Sequence, residues 1–127
     1  MKLKCIGLMC LVAVGVGSTG FAATKVVVQK VTPALLEKGK GAYAANCVIC
    51  HGDKGDGNGV AGAAMNPKPR NFLVDKFKLG EKPENVFKGI SEGLPGTSMA
   101  GFGHLPEEDR WGLAHYVLSF RPAKKKK

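Results

Sequence analysis

Cys47, Cys50 and His51 fall inside five consecutive residues, "CVICH", in a chain of 127 residues. Two thiols two residues apart with an imidazole on the next residue suit three chemistries. They are a redox disulfide, half of a zinc site, and covalent attachment of a haem. A redox pair of this spacing belongs at the end of a strand in a βαβ unit. Here a helix-like stretch precedes it and a glycine-rich stretch, "GDKGDGNG", follows. A structural zinc site needs four separated ligands. His51 adjoins Cys50, so the other ligands would have to come from His104 and His115. Haem attachment meets neither objection. On one helical turn, two thiols can reach the two vinyl groups of a porphyrin edge, and the adjacent histidine can face the iron. One such motif implies one haem.

An iron held by His51 needs a second axial ligand, and Met65, Met99, His104 and His115 are the available side chains. Met99 lies in "PGTSMAGFG", an apolar loop just before the last helical stretch, where the chain can fold over the other face of the ring. Met65 follows His51 closely, in the segment that should be leaving the histidine side. His115 reads as a helix packing residue and His104 as a loop residue. His51 and Met99 are therefore the expected metal ligands, the pairing of electron-transfer cytochromes. Two other motifs nearby mislead. "GNGVAG" matches a dinucleotide-binding fingerprint but has no strand before it. "DKGDGNG" lacks the alternating ligands and late glutamate of a calcium loop. The glycines are instead expected to let backbone pass close to a flat porphyrin.

The elements that must position these residues are short. Thr32 and Pro33 open a helix predicted over 33–47, with Leu35, Leu36 and Tyr43 on its apolar side. Residues 52–71 read as loop. "EKPENVFKGISEG" predicts a short helix from Pro83 to the stop at Gly93. "LPEEDRWGLAHYVLSFRP" predicts the last, with Pro106 at its start, three acidic residues in the first turn and Pro122 past its end. "KVVVQKV" is the one β-prone run. The expected fold is all-α, three to five helices with long loops. So small and so irregular a chain cannot bury enough apolar area by itself. A covalently held apolar cofactor would complete its core.

The chain opens "MKLKCIGLMCLVAVGVGSTGFAATK", a positive start, a short apolar run and small residues near Ala22 and Ala23. This is the pattern of a secretory signal over residues 1–23, and its apolar run is shorter than the roughly 20 residues of a spanning helix. Cys5 and Cys10 leave with it. The remainder, residues 24–123, makes one domain, and residues 124–127, "KKKK", make a solvated tail. The leader holds two of the 19 basic residues and none of the 10 acidic ones, so residues 24–127 carry +7, an excess that points to an anionic partner or surface. An exported chain without a basic, aromatic-laced helix is a poor ligand for nucleic acid.

The segments "GAYAANCVICHGDKGDGNG", "NPKPRNF", "VFKGISEGLPGTSMAGFG" and "LPEEDRWGLAHYVLSF", in that order, resemble a class I monohaem bacterial c-type cytochrome with His/Met ligation. The likeness runs from about Leu35 to Phe120. It implies that the first and last helices cross tightly near Gly39 and Tyr43, with Trp111, Ala114 and Tyr116 on the partner. It also implies that a proline carbonyl, Pro69 here or else Pro67, accepts the Nδ1 hydrogen of His51. Arg70 is expected to pair with a haem propionate. The implied protein is a non-enzymatic, periplasmic, monomeric electron carrier that holds one haem c through Cys47 and Cys50. Its redox partners are expected to present acidic docking surfaces, with no stable membrane insertion after cleavage. The competing reading is a haem c subunit or domain of a larger oxidase or dehydrogenase. Peroxidase or gas-sensor roles would need an open iron site.

Overall fold

The structure, a computed structural model, describes residues 27–122. The expected leader and lysine tail lie outside the described residues. Four α-helices occur among the described residues: α1 (Pro33–Asn46), α2 (Val48–His51), α3 (Pro83–Glu92) and α4 (Glu107–Ser119). No strand is present among them; the part of "KVVVQKV" that is described is irregular. The all-α expectation holds.

Local signals set the helix ends. The Thr32 hydroxyl accepts from the Leu35 amide at 3.1 Å and Pro33 takes the first turn, so α1 starts where a capping oxygen meets an orphan donor. α1 stops one residue short of the predicted Cys47, which joins it to the single turn of α2. Pro83 opens α3, and the Gly93 amide closes it on the Gly89 carbonyl. Glu107, Glu108 and Asp109 occupy the first turn of α4, where the helix dipole favours negative charge.

α4 is the centre of the molecule, with α1 and α3 both packed against it. The α1/α4 crossing is as close as backbones allow. A Cβ added to Gly39 would lie 2.1 Å from the Gly112 carbonyl oxygen, and one on Gly112 would lie 2.7 Å from the Gly39 amide nitrogen. The close crossing near Gly39 is met, and its partner is Gly112. Trp111, fully buried, stacks on Phe87 at 4.2 Å and ties α3 to α4. Tyr43 packs its ring against Tyr116 at 5.3 Å and Phe120 at 5.4 Å, and its hydroxyl donates to the Gly52 carbonyl at 2.8 Å. A buried aromatic whose polar tip is bonded stabilises both as apolar area and as a fixed orientation. Lys38 and Glu108 pair at 2.6 Å across the same helices, but both are exposed, so solvent screening leaves the pair little to add.

Candidate haem site

A cavity of about 450 Å³ opens beside this core. The attachment turn gives it Cys47, Ile49, Cys50 and His51, and the proline segment gives Pro67, Pro69, Arg70 and Phe72. α3 contributes Val86 and Ile90, the loop after α3 contributes Leu94, Met99 and Phe102, and α4 contributes Leu113 and Val117. The apolar periodicity of α3 serves two purposes: Val86 and Ile90 line the cavity while Phe87 meets Trp111. A space of this size and apolarity takes a ligand comparable to a small cofactor.

The thiols of Cys47 and Cys50 are unpaired, and burial pushes the Cys47 thiol up to about 11, so it is a neutral thiol. No three of His, Cys, Asp and Glu gather to hold a metal ion among the described residues. The disulfide and zinc alternatives therefore have no structural counterpart there.

His51 is buried and stacks on Phe72 at 4.4 Å. Its Nδ1 donates to the Arg70 carbonyl at 3.2 Å. A carbonyl only accepts, so the proton sits on Nδ1 and the Nε2 lone pair is the free one. Burial holds the imidazole below its ordinary pKa, against the opposing pull of the Arg70 carbonyl. A neutral, oriented imidazole is what a metal ligand requires.

This corrects the expected partner of His51: the acceptor is the carbonyl of Arg70, one residue beyond Pro69. The Pro69 carbonyl instead lies against Gly57, where a Cβ would come within 2.4 Å of it. Pro69 still lines the cavity. The Arg70 guanidinium donates to the Lys76 carbonyl.

The glycine-rich loop also differs from expectation. It passes close to the backbone of the attachment turn rather than lining the cavity. A Cβ on Gly59 would sit 2.5 Å from the carbonyl oxygens of Val48 and Ile49. The amides of Gly57, Gly59 and Ala61 bond the carbonyls of His51, Cys50 and Ile49 at 2.9, 3.1 and 2.8 Å. The loop thus satisfies the C-terminal carbonyls that so short a helix cannot satisfy itself.

Met99 and Met65 both line the cavity, whereas His104 and His115 do not. His115 bonds the Gln29 carbonyl at 2.8 Å through Nε2. The Met99 backbone is fixed on both sides. Its amide donates to the Thr97 hydroxyl and its carbonyl accepts from the Leu94 amide, each at 3.1 Å. Residues unforeseen from sequence include Phe72, Lys78 and Arg110. Lys78 donates to the Pro95 carbonyl at 2.9 Å, joining two cavity loops.

Residues 36–121 match the cytochrome c family model. The chain belongs to the cytochrome c family. Its class is the c-type cytochrome, and its cofactor is a haem c attached through Cys47 and Cys50. The donors fit the group: two free thiols, a buried imidazole with one free nitrogen and an apolar cavity. This cytochrome c domain is 31% identical over 87 residues to a thiosulfate dehydrogenase of Stutzerimonas stutzeri, covering 66% of this chain and 27% of that protein. It is 36% identical over 83 residues to the Cbb3-type cytochrome c oxidase subunit FixP of Bradyrhizobium diazoefficiens, covering 65% and 26%. It also superposes on a chain of the reducing HAO-like protein complex of Kuenenia stuttgartiensis. The TM-score there is 0.68 and the identity 31%, covering 80% of this chain and 48% of that one. The chain thus spans about a quarter of the length of the curated relatives it matches. No helix among the described residues is long and apolar enough to cross a membrane.

Proposed function

We propose that this chain is an exported, monomeric electron carrier of the bacterial periplasm, with His51 and Met99 as axial ligands of its single haem c. When bound, the haem supplies an iron that accepts and returns one electron. The observation that carries the reading is the state of His51, whose Nδ1 is committed to the Arg70 carbonyl while its ring lines the cavity. Met99 is favoured over Met65 because hydrogen bonds hold its backbone on both sides, which presents its sulfur at low entropic cost. Pro69 and Arg70 serve the group as wall and as carbonyl acceptor. The apolar walls keep water from the site, which limits reorganisation as charge changes.

Ile49 and Val60 are 60% and 93% exposed on and beside the attachment turn. They form an apolar docking spot, with Lys68 and Lys78 at the cavity to draw an acidic partner. With His51 and Met99 both holding the haem iron, the site would have no place for a substrate, and the chain would serve as a carrier rather than an enzyme. In this reading residues 1–23 are removed on export, 24–123 form the domain and 124–127 are a solvated tail.

A second reading follows from the relatives, which include a dehydrogenase and an oxidase subunit: this domain serves inside a larger redox assembly. Purification of the haem-loaded chain from periplasm separates the two. A monomer with a weak long-wavelength band from sulfur–ferric iron bonding and a one-electron redox wave supports the free carrier. Co-purification in a stable complex supports the second reading, and absence of the band removes Met99.

A further inference from the structure

Arg110, on the second turn of α4, holds both ends of the loop that carries Met99. Its Nη1 donates to the Ser91 hydroxyl at 2.6 Å, in the last turn of α3. Its Nε donates to the Leu105 carbonyl at 3.1 Å, just before α4 begins. The guanidinium also lies over the Phe87 ring, 4.9 Å from its centre. Phe87 in turn stacks on buried Trp111. One planar cation thus closes the base of the segment from Ser91 to Leu105 and rests on the most rigid part of the core.

Inside that base the loop has its own bonds: the Leu94 amide to the Met99 carbonyl, the Thr97 hydroxyl to the Leu94 carbonyl at 2.7 Å, and the Phe102 amide to the Ile90 carbonyl at 2.8 Å. These set the shape of the loop near Met99. The last of these already joins the end of α3 to the segment before α4, and the Arg110 side chain adds a second tie there from α4, on Ser91 and Leu105. The tip has a weaker tie, the exposed Lys78 ammonium on the Pro95 carbonyl.

We infer that Arg110 is a positioning residue: by clamping Ser91 to Leu105 it sets how firmly the loop holds Met99 at the cavity. Arginine suits the task because its fixed fork reaches two acceptors at once, which a lysine ammonium on a flexible stem cannot do in the same plane. Each bond is charge-assisted and half-buried, the class worth most among single hydrogen bonds. The consequence for Met99 rests on the proposal that Met99 ligates the iron; the clamp itself does not.

The test is amide hydrogen exchange on the haem-loaded full chain, comparing wild type with Arg110→Lys and Ser91→Ala. Ser91→Ala removes one arm only and leaves the α4 packing intact. The expected result is about tenfold faster exchange at Leu94, Met99 and Phe102 in either variant, the scale of one lost charge-assisted bond. Amides at the α1/α4 crossing should be unchanged. Combining the two substitutions should add little, since both break the same tie. Carbon monoxide binding to the ferrous protein should quicken in parallel. Unchanged loop exchange, or exchange raised equally in α1 and α4, overturns the proposal. Met99→Ala reports separately on ligation. If it leaves the sulfur–iron band intact, the ligand assignment fails while the exchange data still decide the role of Arg110.

Discussion

Gly39 and Gly112 meet backbone to backbone where α1 crosses α4, so closely that neither position has room for a methyl group. Seventy-three positions separate them in the chain, and each by itself is a weak point in its helix. Together they let the two helices approach until Tyr43 and Trp111 are sealed from solvent.

Gly39→Ala or Gly112→Ala should destabilise the haem-loaded protein by about 3 kcal/mol, the upper part of the overpacking range, because the obstruction is backbone. Gly41 has nothing within 4 Å, so Gly41→Ala should stabilise α1 by about 0.5–1 kcal/mol. Guanidinium unfolding of the three variants reads both signs. Equal effects at 39 and 41 would contradict the crossing.

Covalent attachment requires both thiols of the attachment turn. Cys47→Ala with Cys50→Ala should abolish haem that survives acid–organic extraction. Preventing haem attachment leaves the cavity without its filling, so the unloaded chain should lose most of its cooperative unfolding transition. Circular dichroism against temperature checks this, and a cooperative, fully helical unloaded form would overturn it.

Met99→Ala should leave haem attached yet abolish the sulfur–iron band. The potential should fall, since thioether sulfur favours the reduced iron, and cyanide or carbon monoxide should bind more readily. Met65 lines the same cavity, which makes it the critical control. Met65→Ala should keep the band and shift the potential little. Loss of the band in the Met65 variant alone would move the ligand to that residue.

Partner steering can be read from salt dependence. Lys68 is exposed and lines the cavity, so Lys68→Glu should slow electron transfer to an acidic partner a few-fold at low ionic strength. The gap should close as salt is raised past about 0.15 M, where screening acts within about 8 Å. Truncation of the four C-terminal lysines should change the rate little. Stopped-flow rates indifferent to ionic strength would remove the steering idea.

The attachment chemistry was written in the sequence because it is local: one helical turn sets the spacing of Cys47, Cys50 and His51, and residue types alone declare it. The helix ends were legible for the same reason. Thr32, Pro33, Pro83 and Gly93 act within a few residues of where they stand. What tertiary structure decided involves backbone atoms or partners far along the chain. The acceptor for His51 is the carbonyl of Arg70, and every residue carries a carbonyl, so no residue type could single it out from Pro69. The glycines after His51 serve the carbonyls of the attachment turn, a contact that exists only once the loop has turned back. Gly112 matters through Gly39, and Arg110 matters through Ser91 and Leu105. A side chain's type states what it can bond, but only the folded path of the chain brings a partner within reach.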